Sequence, residues 1–396
     1  MPGLLISKPF MNSPSLRIAL FTGNFIHIKD GVSLTLNRLV ETLLARGMKV
    51  LTFGPGIKPP ALGPTGDFAE VPSVGAPGRP EYRISLFLPE ALRLQLEDFR
   101  PDIIHIATPD ILGFVALRFA IKHHIPVISS YHTHFPSYLK YYGLQVLEPV
   151  LWKYLLWFYR NCDKVVSPSE SMNQLLLQQG MPADKLGLWT RGIETNIYHP
   201  GQRDDAYRET LGFSANDVVV SFISRLVWEK DVRTFIDSVK RARRQDDRIK
   251  ILIGGDGPIR QEVEEELPEA VFTGYKSGED LARVYAAGDI FCFPSDTETF
   301  GKVSIEAMAC GLPAVVADAP GSRSLVKHGE TGFHVAPQDA DGFAEKLLLL
   351  AGDESLRGRM SAAAAAHAKT FDWDHVMQQL IDDYIEIVAI HRYKMS

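Results

Sequence analysis

The chain has 396 residues, 45% of them hydrophobic and 23% charged, with a formal net charge of −6. This length exceeds a single ordinary core and favours two domains, while no apolar stretch reaches the roughly 20 residues of a membrane-spanning helix. The amino-terminal residues lack the features of a secretory signal peptide and the three separated cysteines lack metal-ligand spacing, so we expect a cytoplasmic protein with reduced thiols.

Short apolar runs alternate with helical patterns along the first half of the chain. The segment 34–47 places five apolar residues on one helical face and ends at Gly47. Residues 57–82 are rich in Pro and Gly and are predicted to form a long loop. The candidate strands of this half are 16–25, 49–56, 102–109, 126–132, 164–169 and 185–190. Such apolar strands with intervening helices predict a parallel sheet covered on both faces.

The same pattern restarts after a polar, Pro- and Gly-containing break at 191–216. The candidate strands of the second half are 218–225, 249–257, 270–275, 289–295, 313–321 and 332–337. The sequence therefore predicts two doubly wound domains, 1–195 and 196–372, followed by a helix at 373–396 that packs back on the first domain. Ligands of such sheets bind at the carboxyl ends of the strands, so two ligands would face each other across a cleft, as a transferase requires.

Two glutamates, Glu298 and Glu306, are separated by seven residues at a predicted strand-to-helix junction. The helix is expected to begin just after Gly301, which lets a ligand approach the backbone, and a helix N-terminus attracts anions. Glu298 would accept hydrogen bonds from sugar hydroxyls and Glu306 from ribose hydroxyls. The alternative is that both glutamates belong to a solvated helix face.

Two cations, Arg225 and Lys230, follow the first strand of the second half and are suited to hold a diphosphate. As alternatives, Arg225 could form an ion pair with Glu229, and Lys230 could be solvated. The next strand ends in the turn Gly254-Gly255-Asp256-Gly257-Pro258, which is expected to keep side chains away from a ligand. Neither half contains the glycine pattern of a dinucleotide-binding site.

These segments together resemble the glycosyltransferase group 1 family, the retaining family 4 enzymes of GT-B fold, over nearly the whole chain. The resemblance implies an α/β protein of two Rossmann-like domains facing each other across a cleft, with the acceptor on the first and the nucleotide sugar on the second. It implies a hexosyltransferase that uses no cofactor and no metal, with a UDP-sugar preferred over a GDP-sugar as donor. The departing phosphate oxygen would help to deprotonate the acceptor on the same face of the sugar.

The resemblance also assigns roles to individual residues. It implies that Arg225 and Lys230 hold the diphosphate, that Glu298 contacts the donor sugar, that Glu306 binds the ribose, and that His132 is the active-site histidine. His134 is two residues away and is an alternative to His132. The remaining donor-binding positions are Gly31, Gly255, Asp256, Tyr275, Lys276, Phe300, Gly301 and Lys302. The loop that contains Gly31 has a single glycine where many members of the family have two.

A closer resemblance is to the branch with sulfoquinovosyl-diacylglycerol synthases and bacterial lipid mannosyl- and glucuronosyltransferases, which implies a lipid acceptor. Residues 1–195 carry 19 Lys and Arg against 15 Asp and Glu, and 138–160 holds eight aromatic and three basic residues. Lys140, Lys153 and Arg160 would then face anionic lipid at the inner face of the membrane. Alternatively, the segment is a core helix pair divided at Pro149.

Three other functions remain open at this stage. The acceptor could be soluble, or the protein could be a nucleotide-sugar epimerase or a phosphorylase, which share the two-domain architecture. A nucleotide-sugar-binding module without activity is a further alternative. Nothing in the charge distribution has the density of a nucleic-acid-binding surface.

Overall fold

A computed structural model describes residues 15–27, 31–57, 59–76, 79–131, 145–298 and 300–395. The chain divides into two compact units. Unit 1 comprises Met1–Ser167, Leu175–Trp189 and Met377–Ser396, and unit 2 comprises Pro168–Gln174 and Thr190–Val376. Each unit is built on one parallel sheet, as the apolar strand pattern predicts.

Unit 1 contains a seven-stranded parallel sheet in the order β3-β2-β1-β6-β7-β8-β9, and a separate antiparallel hairpin of β4 and β5. Its strands are β1 (Arg17–Phe21), β2 (Lys49–Pro55), β3 (Asp67–Val71), β4 (Ser73–Ala76), β5 (Arg79–Ser85), β6 (Ile103–Ile106), β7 (Val127–Ser130), β8 (Lys164–Ser167) and β9 (Leu186–Leu188). Its described helices are α1 (Gly31–Ala45), α2 (Glu90–Phe99), α3 (Ile111–His123) and α4 (Glu148–Arg160), while α5 (Glu170–Gln178) joins the two units.

The prediction of a long loop at 57–82 is wrong. β3 adds a parallel edge strand to β2, and β4 pairs with β5. An edge strand and a hairpin need only one neighbour each, so short strands form here despite the local Pro and Gly. The predicted helix at 34–47 corresponds to α1, which begins three residues earlier and ends at Ala45, and its apolar face is narrower than expected because Leu44 is exposed. Gly47, at φ 77°, follows the helix as its stop.

Unit 2 contains a six-stranded parallel sheet in the order β12-β11-β10-β13-β14-β15. Its strands are β10 (Val218–Ile223), β11 (Ile249–Gly254), β12 (Val271–Gly274), β13 (Ile290–Phe293), β14 (Ala314–Ala317) and β15 (Gly332–Val335). Its helices are α6 (Asp205–Thr210), α7 (Val232–Arg243), α8 (Arg260–Glu266), α9 (Gly278–Ala286), α10 (Lys302–Ala309), α11 (Pro320–Arg323), α12 (Ala340–Gly352) and α13 (Glu354–Ala368). Every residue of β10 and β13 is buried, which places the hydrophobic core of the unit on both faces of these strands.

The last helix, α14 (Trp373–Met395), starts in unit 2 and contributes Met377 onward to unit 1. A buried histidine anchors it there: the ring of His105 in β6 lies 2.5 Å from the Tyr384 hydroxyl and 2.5 Å from the Ser130 hydroxyl. Lys164 also forms an ion pair of 2.5 Å with Asp383. Burial of hydrogen-bonded polar groups of this kind fixes the position of the helix on the sheet.

Among the described residues, no helix is both long enough and apolar enough to cross a membrane.

Candidate active site

The candidate site of unit 2 forms where its strand order reverses. β10 and β13 are neighbours in the sheet, although β11 and β12 lie between them in the chain. The chain leaves β10 and β13 toward opposite sides of the sheet, which opens a crevice at their carboxyl ends, the usual ligand site of doubly wound sheets. Two segments border it: the clamp loop, residues 224–231 after β10, and the motif turn, the described residues 294–298 and 300–301 after β13.

The clamp loop and the motif turn contact each other directly. The Lys230 ammonium donates to the Glu298 carboxylate, and their side chains are 26% and 18% exposed. The Thr297 hydroxyl donates to the Glu229 carbonyl at 3.1 Å. Two of the predicted residues, 68 positions apart in the chain, are thus brought together. Lys230 is therefore paired rather than merely solvated.

Arg225 occupies the start of the clamp loop with its side chain exposed. Across the described part of the chain no carboxylate forms an ion pair with it, so the alternative of pairing with Glu229 finds no support. Because Lys230 is partly neutralised by Glu298, Arg225 is the cation of the loop that forms no ion pair with a described carboxylate. Such a cation is available to an anionic ligand.

The motif turn ends at Gly301, whose φ of 74° suits glycine and whose position caps α10. The helix begins at Lys302, as the motif predicts. Phe300 is buried and packs edge-on to Phe371 with ring centroids 6.1 Å apart, so its backbone rather than its side chain is available for binding. A Cβ at Gly321 would lie 2.2 Å from the Glu298 carbonyl, which shows how tightly α11 packs against the turn.

The glycine-rich turn after β11 packs against the backbone of the clamp loop. A Cβ at Gly255, where φ is 116°, would lie 1.9 Å from the Ser224 carbonyl, and one at Gly257 would lie 2.2 Å from the Leu226 carbonyl. The Leu226 N–H donates to the Asp256 carbonyl at 2.9 Å. These glycines are therefore needed for backbone packing, in addition to the predicted role of keeping side chains away from a ligand. The Asp256 carboxylate accepts from the N–H of Gly257 at 2.8 Å.

Glu306 lies buried on α10 with a partner for each carboxylate oxygen. Lys302 approaches Oε1 at 2.8 Å, and the Tyr285 hydroxyl donates to Oε2 at 3.1 Å. Burial and the adjacent Glu306 carboxylate raise the pKa of Tyr285 and of Tyr198, so both remain protonated donors. Lys302 is half exposed and is the partner that a ligand can replace. The two tyrosines were missed in the sequence because no spacing relates them to Glu306.

The other predicted donor residues take no part in these contacts. Tyr275 and Lys276 follow β12 and are exposed, with Tyr275 77% accessible. Gly31 is the first residue of α1 in unit 1, where its carbonyl accepts from the Thr35 hydroxyl at 2.7 Å. His132 and His134 lie outside the described residues. Within the described ranges, no group of three or more His, Cys, Asp or Glu could hold a metal ion.

Comparison with known proteins identifies relatives along the whole chain. The model of the Glycosyltransferase Family 4 matches residues 29–197, and that of the Glycosyl transferases group 1 matches residues 203–367. A GDP-mannose-dependent alpha-mannosyltransferase of Corynebacterium glutamicum is 31% identical over 390 residues, covering 95% of this chain and 90% of the relative. The sulfoquinovosyl transferase SQD2 of Arabidopsis thaliana is 32% identical over 300 residues, covering 73% of this chain and 58% of the relative.

A third relative is the alpha-monoglucosyldiacylglycerol synthase of Streptococcus pneumoniae, 27% identical over 324 residues, covering 78% of this chain and 73% of the relative. Among solved structures, the Anabaena protein HepE in complex with UDP superposes with a TM-score of 0.69 at 20% identity, covering 93% of this chain and 99% of HepE. That likeness confirms the predicted GT-B fold of two Rossmann-like domains. With these matches along both halves, the chain belongs to the group 1, family 4 glycosyltransferases and is a glycosyltransferase enzyme.

Proposed function

We propose that this protein transfers a hexosyl unit from a nucleoside diphosphate sugar to a hydroxyl of a membrane lipid, with retention of anomeric configuration. One observation carries the proposal: Lys230 of the clamp loop contacts Glu298 of the motif turn, which precedes the N-terminus of α10. Cations and a helix N-terminus at one crevice suit a diphosphate. Carboxylates beside them suit the hydroxyls of a sugar and a ribose.

The diphosphate would bind between Arg225, Lys230 and the N-terminal turn of α10. The exposed guanidinium of Arg225 offers two parallel N–H donors to a phosphate. Lys230 would exchange part of its contact with Glu298 for a phosphate oxygen. These cations stabilise negative charge that grows as the diphosphate departs, and therefore act in the transition state more than in the ground state.

The rest of the donor would extend along the neighbouring strand ends. Glu298 would accept hydrogen bonds from the sugar, and Glu306 from the ribose after Lys302 moves aside. Tyr275 and Lys276, at the exposed end of β12, are the proposed contacts of the nucleobase. Gly31 and His132 are the proposed contributions of unit 1.

In the proposed reaction, the bond between the anomeric carbon and the diphosphate oxygen breaks while the acceptor oxygen bonds to the same face of the sugar. The acceptor proton passes to the departing phosphate oxygen, so neither a metal nor a cofactor takes part. Engagement of Glu298 by Lys230 favours a binding role for this carboxylate over a nucleophilic one. The one-bond C1–H1 coupling of the product, measured by NMR, tests retention.

A lipid acceptor is supported by the name of the Streptococcus pneumoniae relative, which specifies a monoglucosyldiacylglycerol product. For the donor, the Corynebacterium glutamicum relative is named for GDP-mannose, whereas the HepE structure holds UDP. A thermal-shift screen of UDP- and GDP-sugars identifies the donor, because a ligand that binds the folded protein raises its melting temperature. A soluble acceptor is the second candidate.

The experiment that tests the proposal measures release of nucleoside diphosphate with and without diacylglycerol or glycolipid acceptors. A transferase releases it only slowly without acceptor and rapidly with lipid. Conversion of the donor sugar without acceptor would identify an epimerase. Pyridoxal absorbance together with phosphate-dependent turnover would identify a phosphorylase. Donor binding without turnover on any acceptor would identify a binding module. Turnover with soluble sugars but not with lipids would refute the lipid acceptor alone.

A further inference from the structure

The exposed apolar side chains of this protein are concentrated in one unit. Of the 20 large apolar side chains that are exposed among the described residues, 17 belong to unit 1. The three in unit 2 are Trp228, Tyr275 and Leu349, of which Trp228 lies in the clamp loop and Tyr275 follows β12. An asymmetry of this size between two similar folds indicates that unit 1 meets an apolar partner.

Helix α3 presents one outward stripe in which apolar and basic residues alternate. Ile111, Phe114 and Ile121 are exposed, and Arg118 and Lys122 are exposed among them. Spacings of three and four residues place these side chains on the same side of the helix. The helix contains no acidic residue, so nothing on it neutralises the two cations.

Helix α4 and the turn before it carry a matching stripe. Val146, Val150 and Trp157 are exposed, and so is Lys153 between them. The opposite face of α4 packs in the core through Trp152, Leu155, Phe158 and Tyr159. The two interpretations of segment 138–160 thus apply to different faces of α4, while residues 138–144 lie outside the described ranges.

Two of the residues considered in the sequence can be placed in this geometry. Pro149 lies in the first turn of α4, after a short 3₁₀ turn at Gln145–Leu147, where a proline is tolerated because the N–H has no helical partner. Arg160 is exposed, but its guanidinium donates to the Gly180 carbonyl at 2.7 Å. It is therefore a weaker candidate than Lys153 for contact with lipid.

The two stripes adjoin to form one surface. The Tyr154 hydroxyl on α4 donates to the Pro109 carbonyl just before α3 at 3.0 Å, and the rings of Phe114 and Trp157 lie 5.8 Å apart. Among the described residues, no carboxylate forms an ion pair with any cation of this surface. We call it the α3–α4 face and define it by Ile111, Phe114, Arg118, Ile121, Lys122, Val146, Val150, Lys153 and Trp157.

We propose that the α3–α4 face docks on an anionic lipid bilayer, with its aromatic and aliphatic side chains at the headgroup level and its three cations against lipid phosphates. Unpaired cations interspersed with an indole and aliphatic groups are the composition of interfacial membrane helices. The core of a protein interface, by contrast, is depleted in lysine. The charge of the face is thus complementary to a bilayer and unsuited to a second copy of itself.

The position of the face also fits delivery of a lipid acceptor, a step that rests on the proposed function. Helix α3 begins directly after β6 ends, so Ile111 lies at the carboxyl edge of the unit 1 sheet. Helix α4 ends just before β8 begins, so its first turn, with Val150, lies at the same edge. Ligands of parallel sheets bind at that edge. A docked face would bring it to the membrane surface, from which the acceptor hydroxyl emerges.

The test is co-sedimentation of the purified protein with vesicles of phosphatidylglycerol and phosphatidylcholine, compared with phosphatidylcholine alone. At low salt, Arg118→Ser/Lys122→Ser/Lys153→Ser should weaken binding to the anionic vesicles about 100-fold, since each cation contributes about fivefold. Phe114→Ser/Trp157→Ser should weaken it too. The matched control removes three exposed cations of unit 2: Arg244→Ser, Arg359→Ser and Lys369→Ser. It should bind vesicles like the wild type.

The proposal would be overturned if the wild-type protein did not co-sediment with anionic vesicles. It would also be overturned if the triple variant bound them as well as the control does. A dimer that dissociates in the Phe114→Ser/Trp157→Ser protein, measured by light scattering, would assign the face to a second copy instead. Transfer to a short-chain acceptor dissolved in water should be equal in wild type and triple variant. Absence of that transfer in both proteins would refute the lipid acceptor. Vesicle binding would still test the docking of the α3–α4 face, because it does not depend on transfer.

Discussion

Replacing Lys230 by alanine is the most direct perturbation of the proposed diphosphate site. Its ammonium contacts Glu298, and both side chains are largely buried at the crevice of unit 2. Two unit charges about 4 Å apart interact by about 4 kcal/mol at an effective dielectric constant near 20. About 1.4 kcal/mol corresponds to a tenfold change in rate. Allowing for water that replaces the lysine, we expect kcat to fall by about 10²- to 10³-fold.

The same substitution leaves the Glu298 carboxylate without its cation, beside the expected position of the diphosphate. That carboxylate then repels the nucleotide, so part of the loss in affinity comes from Glu298 rather than from the missing lysine. Adding Glu298→Gln should recover about 1 kcal/mol of nucleoside diphosphate binding, roughly fivefold, because contacting residues are coupled. Isothermal titration calorimetry of the four proteins of this cycle measures the coupling.

The rate is measured as nucleoside diphosphate release at saturating donor and acceptor. Lys369→Ala, an exposed lysine of the same unit, serves as the control and should retain full activity. A Lys230→Ala enzyme within threefold of wild type would refute the placement of Lys230 at the departing diphosphate. The coupling between Lys230 and Glu298 would be refuted if the effects of the two substitutions on the free energy of nucleoside diphosphate binding were strictly additive.

Glu306→Gln should raise the donor KM about tenfold and lower kcat less, because ribose contacts are made equally in the ground and transition states; a collapse of kcat at constant KM would assign this residue another role. Tyr285→Phe should raise the same KM about fivefold by removing the hydrogen bond to Glu306, and an unchanged KM would exclude that positioning effect. Gly255→Ala should cost about 3 kcal/mol or more of unfolding free energy in a urea titration, whereas Gly358→Ala, with open space around it, should cost nothing. Burial lowers the pKa of His105 to about 3, against about 6.5 unfolded, so stability is lost as the pH falls below 6.5. Between pH 7 and 5 His105→Gln should lose about 2 kcal/mol less than wild type, and equal losses would contradict this.

Much of the geometry of the clamp loop and the motif turn could be predicted from the sequence, because local rules determine it. Gly301 takes a positive φ that suits glycine, and the helix that follows begins at Lys302, as the motif indicated. Adjacent parallel strands bring Lys230 and Glu298 together, since their loops leave the same edge of the sheet. The partner of Glu306 was not readable: Tyr285 lies 21 residues away on another helix, and only tertiary packing unites them.

Unit 1 was less predictable, because its surface features depend on which face of each element is covered. The aromatic residues of segment 138–160 look alike in sequence, yet Phe158 is buried and Trp157 is exposed. The outward stripe of α3 could not be predicted from the sequence, because the average composition of this helix is that of a helix buried in a core. The strands within 57–82 were not predicted, because edge strands need little apolar sequence and because Pro and Gly obscured their alternating pattern.

Both glutamates of the motif pair with a lysine, Glu298 with Lys230 and Glu306 with Lys302. Each pair combines a group suited to a phosphate with a group suited to hydroxyls, and a nucleotide sugar carries both. In the proposed donor site, the pairs would hold the four side chains in place before a donor arrives, which would lower the entropy lost on binding. They would also weaken the binding of inorganic phosphate, because an anion without hydroxyls would have to separate an ion pair and leave a carboxylate unpaired. The pairing itself would then favour the complete donor over inorganic phosphate, with Arg225 attracting the diphosphate.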